Sequence, residues 1–201
     1  MRAQQVMSAP VVTVRPDDGV KRAAELLSRH GFTALPVVDE DDRLVGMVTE
    51  ADLVRERFPA DPRFRTAESD GAPRPPGKVR EVMTTPAVAM GAGTDVAVLA
   101  RTMVDDRRRC VPIVSGSRVV GVVTRRDLVR LLARPDAEIA ADVLHRLRDF
   151  GGAGRWRIAV DGGAVTITDS FAPDQCDPTD GHVARVLAEA VPGVVHAEVA
   201  G

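Results

Sequence analysis

At 201 residues, 44% of them apolar but only 3% aromatic and none of them tyrosine, the chain has room for two domains with cores of Val, Leu, Ala and Met. Twenty-seven basic side chains against 29 acidic ones leave a formal charge of −2, which argues against a chain built to coat nucleic acid. No segment approaches the roughly 18 uninterrupted apolar residues of a membrane span, and the opening Met1-Arg2-Ala3-Gln4-Gln5 lacks a signal peptide's apolar stretch, so a cytoplasmic location without membrane association is expected.

In chain order, residues 11–14 predict a short strand. Residues 20–29 predict a helix with Val20, Ala23, Ala24 and Leu27 on its apolar face, stopped by Gly31. Residues 34–38 and 44–49 are β-rich runs joined by Asp39-Glu40-Asp41-Asp42, hence a hairpin. That acidic turn lacks the spacing and glycine of a calcium loop and reads as solvated, with no metal. Residues 51–57 return to helix, and residues 59–77, with five prolines and no periodicity, predict a linker. The same order then recurs at 88–90, 97–105, 111–114, 119–124 and 126–133. Beyond it, residues 137–147 predict an amphipathic helix with Ile139, Val143 and Leu147 on one face. Residues 156–160 and 165–168 flank the turn Asp161-Gly162-Gly163, 183–190 is helical, and 194–199 is a last strand, giving α-β-β-α-β.

The recurrence extends to residue identity. Val6-Met7-Ser8-Ala9-Pro10 returns as Val82-Met83-Thr84-Thr85-Pro86, and Pro36-Val37-Val38 as Pro112-Ile113-Val114, both 76 residues later. Val45-Gly46-Met47-Val48-Thr49-Glu50-Ala51-Asp52-Leu53 returns as Val120-Gly121-Val122-Val123-Thr124-Arg125-Arg126-Asp127-Leu128 at an offset of 75. The one-residue deletion falls in the hairpin turn, where no core contact is lost. Two β-α-β-β-α units of this size are expected to pack face to face.

These motifs, seen twice in register, resemble the CBS domain in tandem, a Bateman module, with repeats at 1–58 and 78–134. The resemblance implies a mixed α/β (α+β) fold in which the two repeats pack with pseudo-two-fold symmetry around two clefts. It also implies an adenosine ligand (AMP, ADP, ATP or S-adenosylmethionine), a regulatory role with no catalysis or required cofactor, and a homodimer. Thr49-x-x-Asp52 and Thr124-x-x-Asp127 sit where a strand feeds a helix. Such a carboxylate suits a ribose diol and such a hydroxyl a phosphate. The same residues also read as a plain N-cap and its first-turn partner, and the two roles are compatible.

In related modules the pocket of one repeat's Thr and Asp takes basic residues from the other. The matching positions are Arg109 and Arg126 for Asp52, but uncharged Thr33 and Ala51 for Asp127. The resemblance therefore implies a phosphorylated nucleotide at Thr49, Asp52, Arg109 and Arg126, with the Thr124 and Asp127 pocket empty or holding a less charged ligand. Adenine would lie against Val12 and Ala34, or Val88 and Cys110. Arg107-Arg108-Arg109 also reads as a solvated run of charge.

From residue 136 onward five arginines face 11 acidic residues, a net −6, whereas residues 1–135 carry 22 basic and 18 acidic ones, a net +4. Here Val160-Asp161-Gly162-Gly163-Ala164-Val165-Thr166-Ile167 and Pro192-Gly193-Val194-Val195-His196-Ala197-Glu198-Val199 resemble a BON domain over 137–201, although Asp169-Ser170 stand where that family has glycine. The resemblance implies phospholipid or protein contacts, and the charge favours protein. His182 and His196 read as surface residues. Cys110 and Cys176 are expected as reduced thiols, a disulfide being the alternative that spacing leaves open.

A nucleotide-sensing regulator is thus the leading expectation. The alternative is a protein or envelope scaffold with vestigial clefts. An enzyme ranks third: neither cysteine has a catalytic signature, and there is no glycine-rich phosphate loop and no His-Glu-x-x-His.

Overall fold

The computed structural model describes residues 1–55, 58, 75–152, 154–171 and 178–200. Cys176 and most of the expected linker lie outside them. The chain forms two compact units, Met7–Thr94 with Arg101–Thr124, and Met1–Val6 with Asp95–Ala100 and Arg125–Gly201.

The first unit opens with α1 (Val20–His30), β1 (Ala34–Val38), β2 (Leu44–Thr49) and α2 (Glu50–Val54). In α1 the buried face is Val20, Ala23, Leu26 and Leu27, whereas Ala24 is exposed, correcting the sequence expectation. Leu26 and Ala24 flank the same stripe, and the larger side chain gains more by burial. Gly31, at φ +64°, ends the helix in the left-handed conformation that glycine adopts without cost. The strand expected at 11–14 shrinks to one parallel bridge, Val14 to Val37. Directly after the bridge, Arg15 N–H turns to the Asp18 carboxylate, 2.7 Å away. Helix α2 is also shorter than expected, its C-cap Arg55 being already extended (φ −54°, ψ 126°). The acidic turn closes on itself, with Asp39 Oδ1 accepting from the amides of Asp41 and Arg43. Val14, Val20, Ala23, Leu26, Leu27, Leu35, Val37, Val48, Leu53 and Val79 form the core.

The rest of this unit holds β3 (Met90–Gly91, where 88–90 was expected), β4 (Cys110–Ser115) and β5 (Arg118–Thr124), joined in one sheet in that order. Helix α3 (Val96–Asp105) contributes to both units. Arg107 holds φ +53° at the place corresponding to Gly31. Because a Cβ costs about 1 kcal/mol there, Arg107→Gly is expected to stabilise the chain by roughly that much, read as a rise in thermal midpoint.

The two repeats interlock by reciprocal exchange. Ser8 and Val122 trade both backbone hydrogen bonds (2.8 and 3.1 Å), and so do Thr84 and Met47 (2.8 and 3.0 Å). Each opening segment therefore adds to the hairpin of the other repeat. A Cβ on Gly121 would collide with Met7 Sδ, and one on Gly46 would stand 2.9 Å from Met83 Sδ. The Gly and Met of the repeated motifs are thus two sides of one contact. Gly121→Ala is expected to cost about 1–3 kcal/mol through overpacking, and Met7→Ala in the same chain to recover part of it, read by urea denaturation.

Turn-forming Val79–Glu81 precedes the second opening segment, and the Glu81 carboxylate accepts from the amides of Lys78 (2.6 Å) and Gly77 (2.7 Å). Those two bonds hold its carboxyl below the usual range. The matching turn, Ala3–Gln5, uses the neutral Gln5 amide oxygen on Arg2 N–H (2.7 Å).

The second unit contains α4 (Arg125–Leu132), α5 (Asp136–Arg148), β6 (Trp156–Asp161), β7 (Ala164–Asp169), α6 (Pro178–Glu189) and β8 (His196–Ala200). The sheet runs β6-β7-β8, antiparallel then parallel, over a core of Ile139, Val143, Leu147, Trp156, Val165, Ile167, Ala184, Ala188 and Ala197. Helix α6 starts five residues before the expected 183, with Pro at its first position, where a missing N–H does no harm. Strand β8 starts at His196 rather than 194, since Gly193 turns at φ +93° and Val194 N–H closes on Val191.

In the β6–β7 turn, Gly162 and Gly163 both have positive φ, and the Asp136 carboxylate caps both their amides (2.8 and 2.9 Å). Arg155, 7% exposed, bonds Asp169 through Nε and Nη2 and Asp180 through Nη2, between the rings of Trp156 and Phe171. Among the described residues no helix is long and apolar enough to cross a membrane.

Candidate functional site

Two strand ends in the first unit gather most of the sequence candidates. In the first repeat, Ala34 opens β1 directly opposite Thr49, which closes β2. Val12 lies two residues before the Val14 bridge, half-buried against the core, at the same end. Glu50 N–H bonds Thr33 carbonyl (3.2 Å), which draws the start of α2 onto that end.

Thr49 and Asp52 form a full capping box. Thr49 N–H and Oγ1 both donate to Asp52 Oδ2, at 2.9 and 2.7 Å, and Asp52 N–H lies 3.4 Å from Thr49 Oγ1. The cap reading is therefore realised. Its consequence is a half-buried carboxylate with a fixed rotamer, whose Oδ1 carries no hydrogen bond among the described residues. A carboxylate in that state accepts a hydroxyl without first having to be ordered.

In the second repeat, Cys110 opens β4 opposite Thr124 at the end of β5. Val88 precedes β3 and is 37% exposed. Arg109, next to Cys110, is exposed and has no ion-pair or hydrogen-bond partner among the described residues, whereas Arg108 pairs with Asp106 (3.3 Å). No ion pair joins Arg109 to Asp52. Cys110 is half-buried and forms no disulfide among the described residues. No group of His, Cys, Asp or Glu able to hold a metal occurs among the described residues.

Arg126 and Asp127 belong to the second unit. Arg126 is an exposed residue in the first turn of α4. Asp127 accepts from Arg130 (3.4 Å), an interaction that Asp52 lacks, and spacing alone gave no sign of this difference.

The same pattern of elements is found in known proteins. The CBS domain pattern matches residues 3–58 and again 79–134. The chain belongs to the CBS-domain family. An uncharacterised protein of Methanocaldococcus jannaschii is 31% identical over 134 residues, 66% of this chain, and the match covers 32% of that protein, so the chain corresponds to about a third of its relative. Hypoxic response protein 1 of Mycobacterium tuberculosis is 30% identical over 132 residues, covering 65% of this chain and 84% of that protein. Among solved structures, a CBS domain pair in complex with 5′-methylthioadenosine and S-adenosyl-L-methionine superposes with a TM-score of 0.54 at 27% identity, covering 66% of this chain and 96% of that one. CBSX2 in complex with AMP superposes at 0.53 and 26% identity, covering 64% and 93%. The CBS pair thus accounts for roughly the first two-thirds of the chain.

Proposed function

We propose that this CBS pair is a cytoplasmic, non-catalytic sensor that binds an adenine nucleotide and signals occupancy through the packing of its repeats. The observation that carries the reading is Asp52: half-buried, oriented by Thr49, and left with one carboxylate oxygen unbonded. In this reading Oδ1 accepts from a ribose hydroxyl, Val12 and Ala34 lie along the base, and Arg109, unpaired among the described residues, meets phosphate. The solved pairs with AMP and with S-adenosyl-L-methionine are similar over nearly their whole length and support an adenosine ligand. Arg109 in place of Thr33 favours a phosphorylated ligand at Asp52. The opening segments exchanged between the repeats supply the coupling, since a ligand that moves one repeat moves a strand of its sibling. The C-terminal sheet, similar in its sequence motifs to a BON domain, would then be the part that meets a protein partner, and a homodimer is the expected assembly.

Isothermal titration of the full chain with AMP, ATP and S-adenosylmethionine tests the reading. Binding of at least one is expected. Asp52→Ala should weaken it about tenfold or more, because a hydrogen bond to a charged group contributes roughly 1.5–3 kcal/mol. Asp52→Asn, which keeps an acceptor for the cap, separates loss of charge from loss of the cap. No heat with any of the three ligands would end the proposal.

A further inference from the structure

We propose that α4, a helix of the second repeat, is anchored in the C-terminal sheet unit by Arg134, which makes that unit a regulator of Arg126 and of phosphorylated-ligand affinity. The anchoring stands on packing alone, and the regulation rests on the nucleotide reading above. The equivalent helices of the two repeats differ in what they bury. Helix α2 places Leu53 in the core of the first repeat. Helix α4 has no fully buried residue: Leu128, at the matching place, is half-buried, and Val129 and Leu132 are exposed. Eight residues with so little apolar burial are marginal as a helix and need an anchor.

The anchor lies at the C-terminal end of α4. Arg134, two residues beyond the helix and 21% exposed in its side chain, donates from Nη1 to the Pro192 carbonyl (2.5 Å) and from Nη2 to Asp142 of α5 (2.8 Å). Glu138 stands 3.8 Å away. Pro192 and Gly193 belong to the turn between α6 and β8. A Cβ on Gly193 would stand 3.2 Å from the Leu131 carbonyl oxygen and 2.9 Å from Ile139 Cδ1, so the turn meets the end of α4 and the start of α5 at backbone distance. Just beyond it, Val195 N–H bonds the Gly163 carbonyl (3.0 Å), which ties the same turn to the β6–β7 hairpin.

Helix α4 therefore belongs with the sheet that follows it, and Arg125–Gly201 fall in one compact unit. Arg126 and Asp127 stand in the first turn of the helix whose last turn is fixed by Arg134. A helix is stiff over so short a length, roughly 12 Å at 1.5 Å per residue, so a shift of the Pro192–Gly193 turn carries Arg126 with it. A partner or a modification that moves the C-terminal sheet would thus change how well a phosphate is met.

Amide exchange on the full chain tests the anchoring without any ligand. Arg155→Ala, which weakens the C-terminal sheet and touches neither α4 nor the ligand residues, should speed exchange at residues 129–132 and in β7 alike, by at least about tenfold, and leave β4 and β5 unchanged. Should that variant unfold the sheet outright, α4 must lose protection with it while β4 and β5 keep theirs. Unchanged exchange in α4 would overturn the proposal. Titration of the full chain tests the regulation. Arg134→Ala should weaken AMP about threefold or more but S-adenosylmethionine, which has no phosphate, less than about twofold. Arg134→Lys, which keeps the charge but not the fork, should restore part of the loss. Equal weakening of the two ligands, or none, would overturn the regulation. No heat with AMP would remove the phosphorylated ligand and the regulation together, while exchange still decides whether α4 is anchored.

Discussion

Arg155→Ala is expected to destabilise the C-terminal sheet by about 3 kcal/mol, the cost of breaking a largely buried ion pair by removing one partner. The Arg155 side chain is 8% exposed, with Asp169 at 16% and Asp180 at 26%. Its contacts to Asp169 at 2.8 Å and Asp180 at 2.7 Å place one cation between two anions. The Asp169 hydrogen bond above all holds the guanidinium pKa above its already high value, against the opposing effect of burial. Removing it leaves two carboxylates facing each other and takes a flat group away from Trp156 and Phe171, whose centroids lie 4.5 and 5.0 Å away. Arg155→Lys retains the charge but loses the two-pronged geometry and should fall between wild type and Ala. Trp156 is the only tryptophan, so its fluorescence during urea unfolding reports this unit. A loss below about 1 kcal/mol would mean that the cluster behaves as an exposed pair.

Gly163→Ala should have a similarly large effect, about 3 kcal/mol, for a different reason. Gly163 holds φ +79°, and a Cβ there would stand 2.7 Å from the Gly193 carbonyl oxygen. Backbone strain of about 1–2 kcal/mol adds to a clash with a main-chain atom that has no rotamer to yield. Gly162 is the internal control. It holds φ +54° in the same turn but has nothing within 4 Å of its would-be Cβ, so Gly162→Ala should lose only the strain, about 1 kcal/mol. Equal midpoints for the two variants, followed by Trp156 fluorescence, would show that the clash is relieved by movement of Gly193.

What could be seen in the sequence was what short-range chemistry encodes. The expected strands at 34–38 and 44–49 are the bounds of β1 and β2, because β-branched runs with a polar turn between them leave little choice. The Thr49–Asp52 box was legible for the same reason, its two side chains being three residues apart. Whether Ala24 or Leu26 joined the core was not legible, since a 3.6-residue period admits both. Of the strand expected at 11–14 only the Val14 bridge forms, and a turn of Arg15 and Asp18 that strand propensity does not register follows it. The Arg155 cluster draws on residues 14 and 25 positions away, and no local period marks such a partnership. Its only trace in the sequence is Asp169, which departs from the glycine of the motif that this segment resembles. At the candidate site, the chain announced which residues are polar and where each strand ends, but the sequence carries no rule for the direction of the Arg109 guanidinium.

The exchange of opening segments makes each repeat an unfinished object. Cut out on its own, a piece spanning residues 1–58 would keep a Met7 with no Gly121 to cover and a Gly46 whose neighbour, Met83, had been left behind. The Met47 edge would lose the partner that Thr84 provides. Such a fragment could complete itself only by borrowing the missing segment from an identical fragment, so dissecting this protein at the linker should yield intertwined oligomers or sticky edges instead of two independent halves.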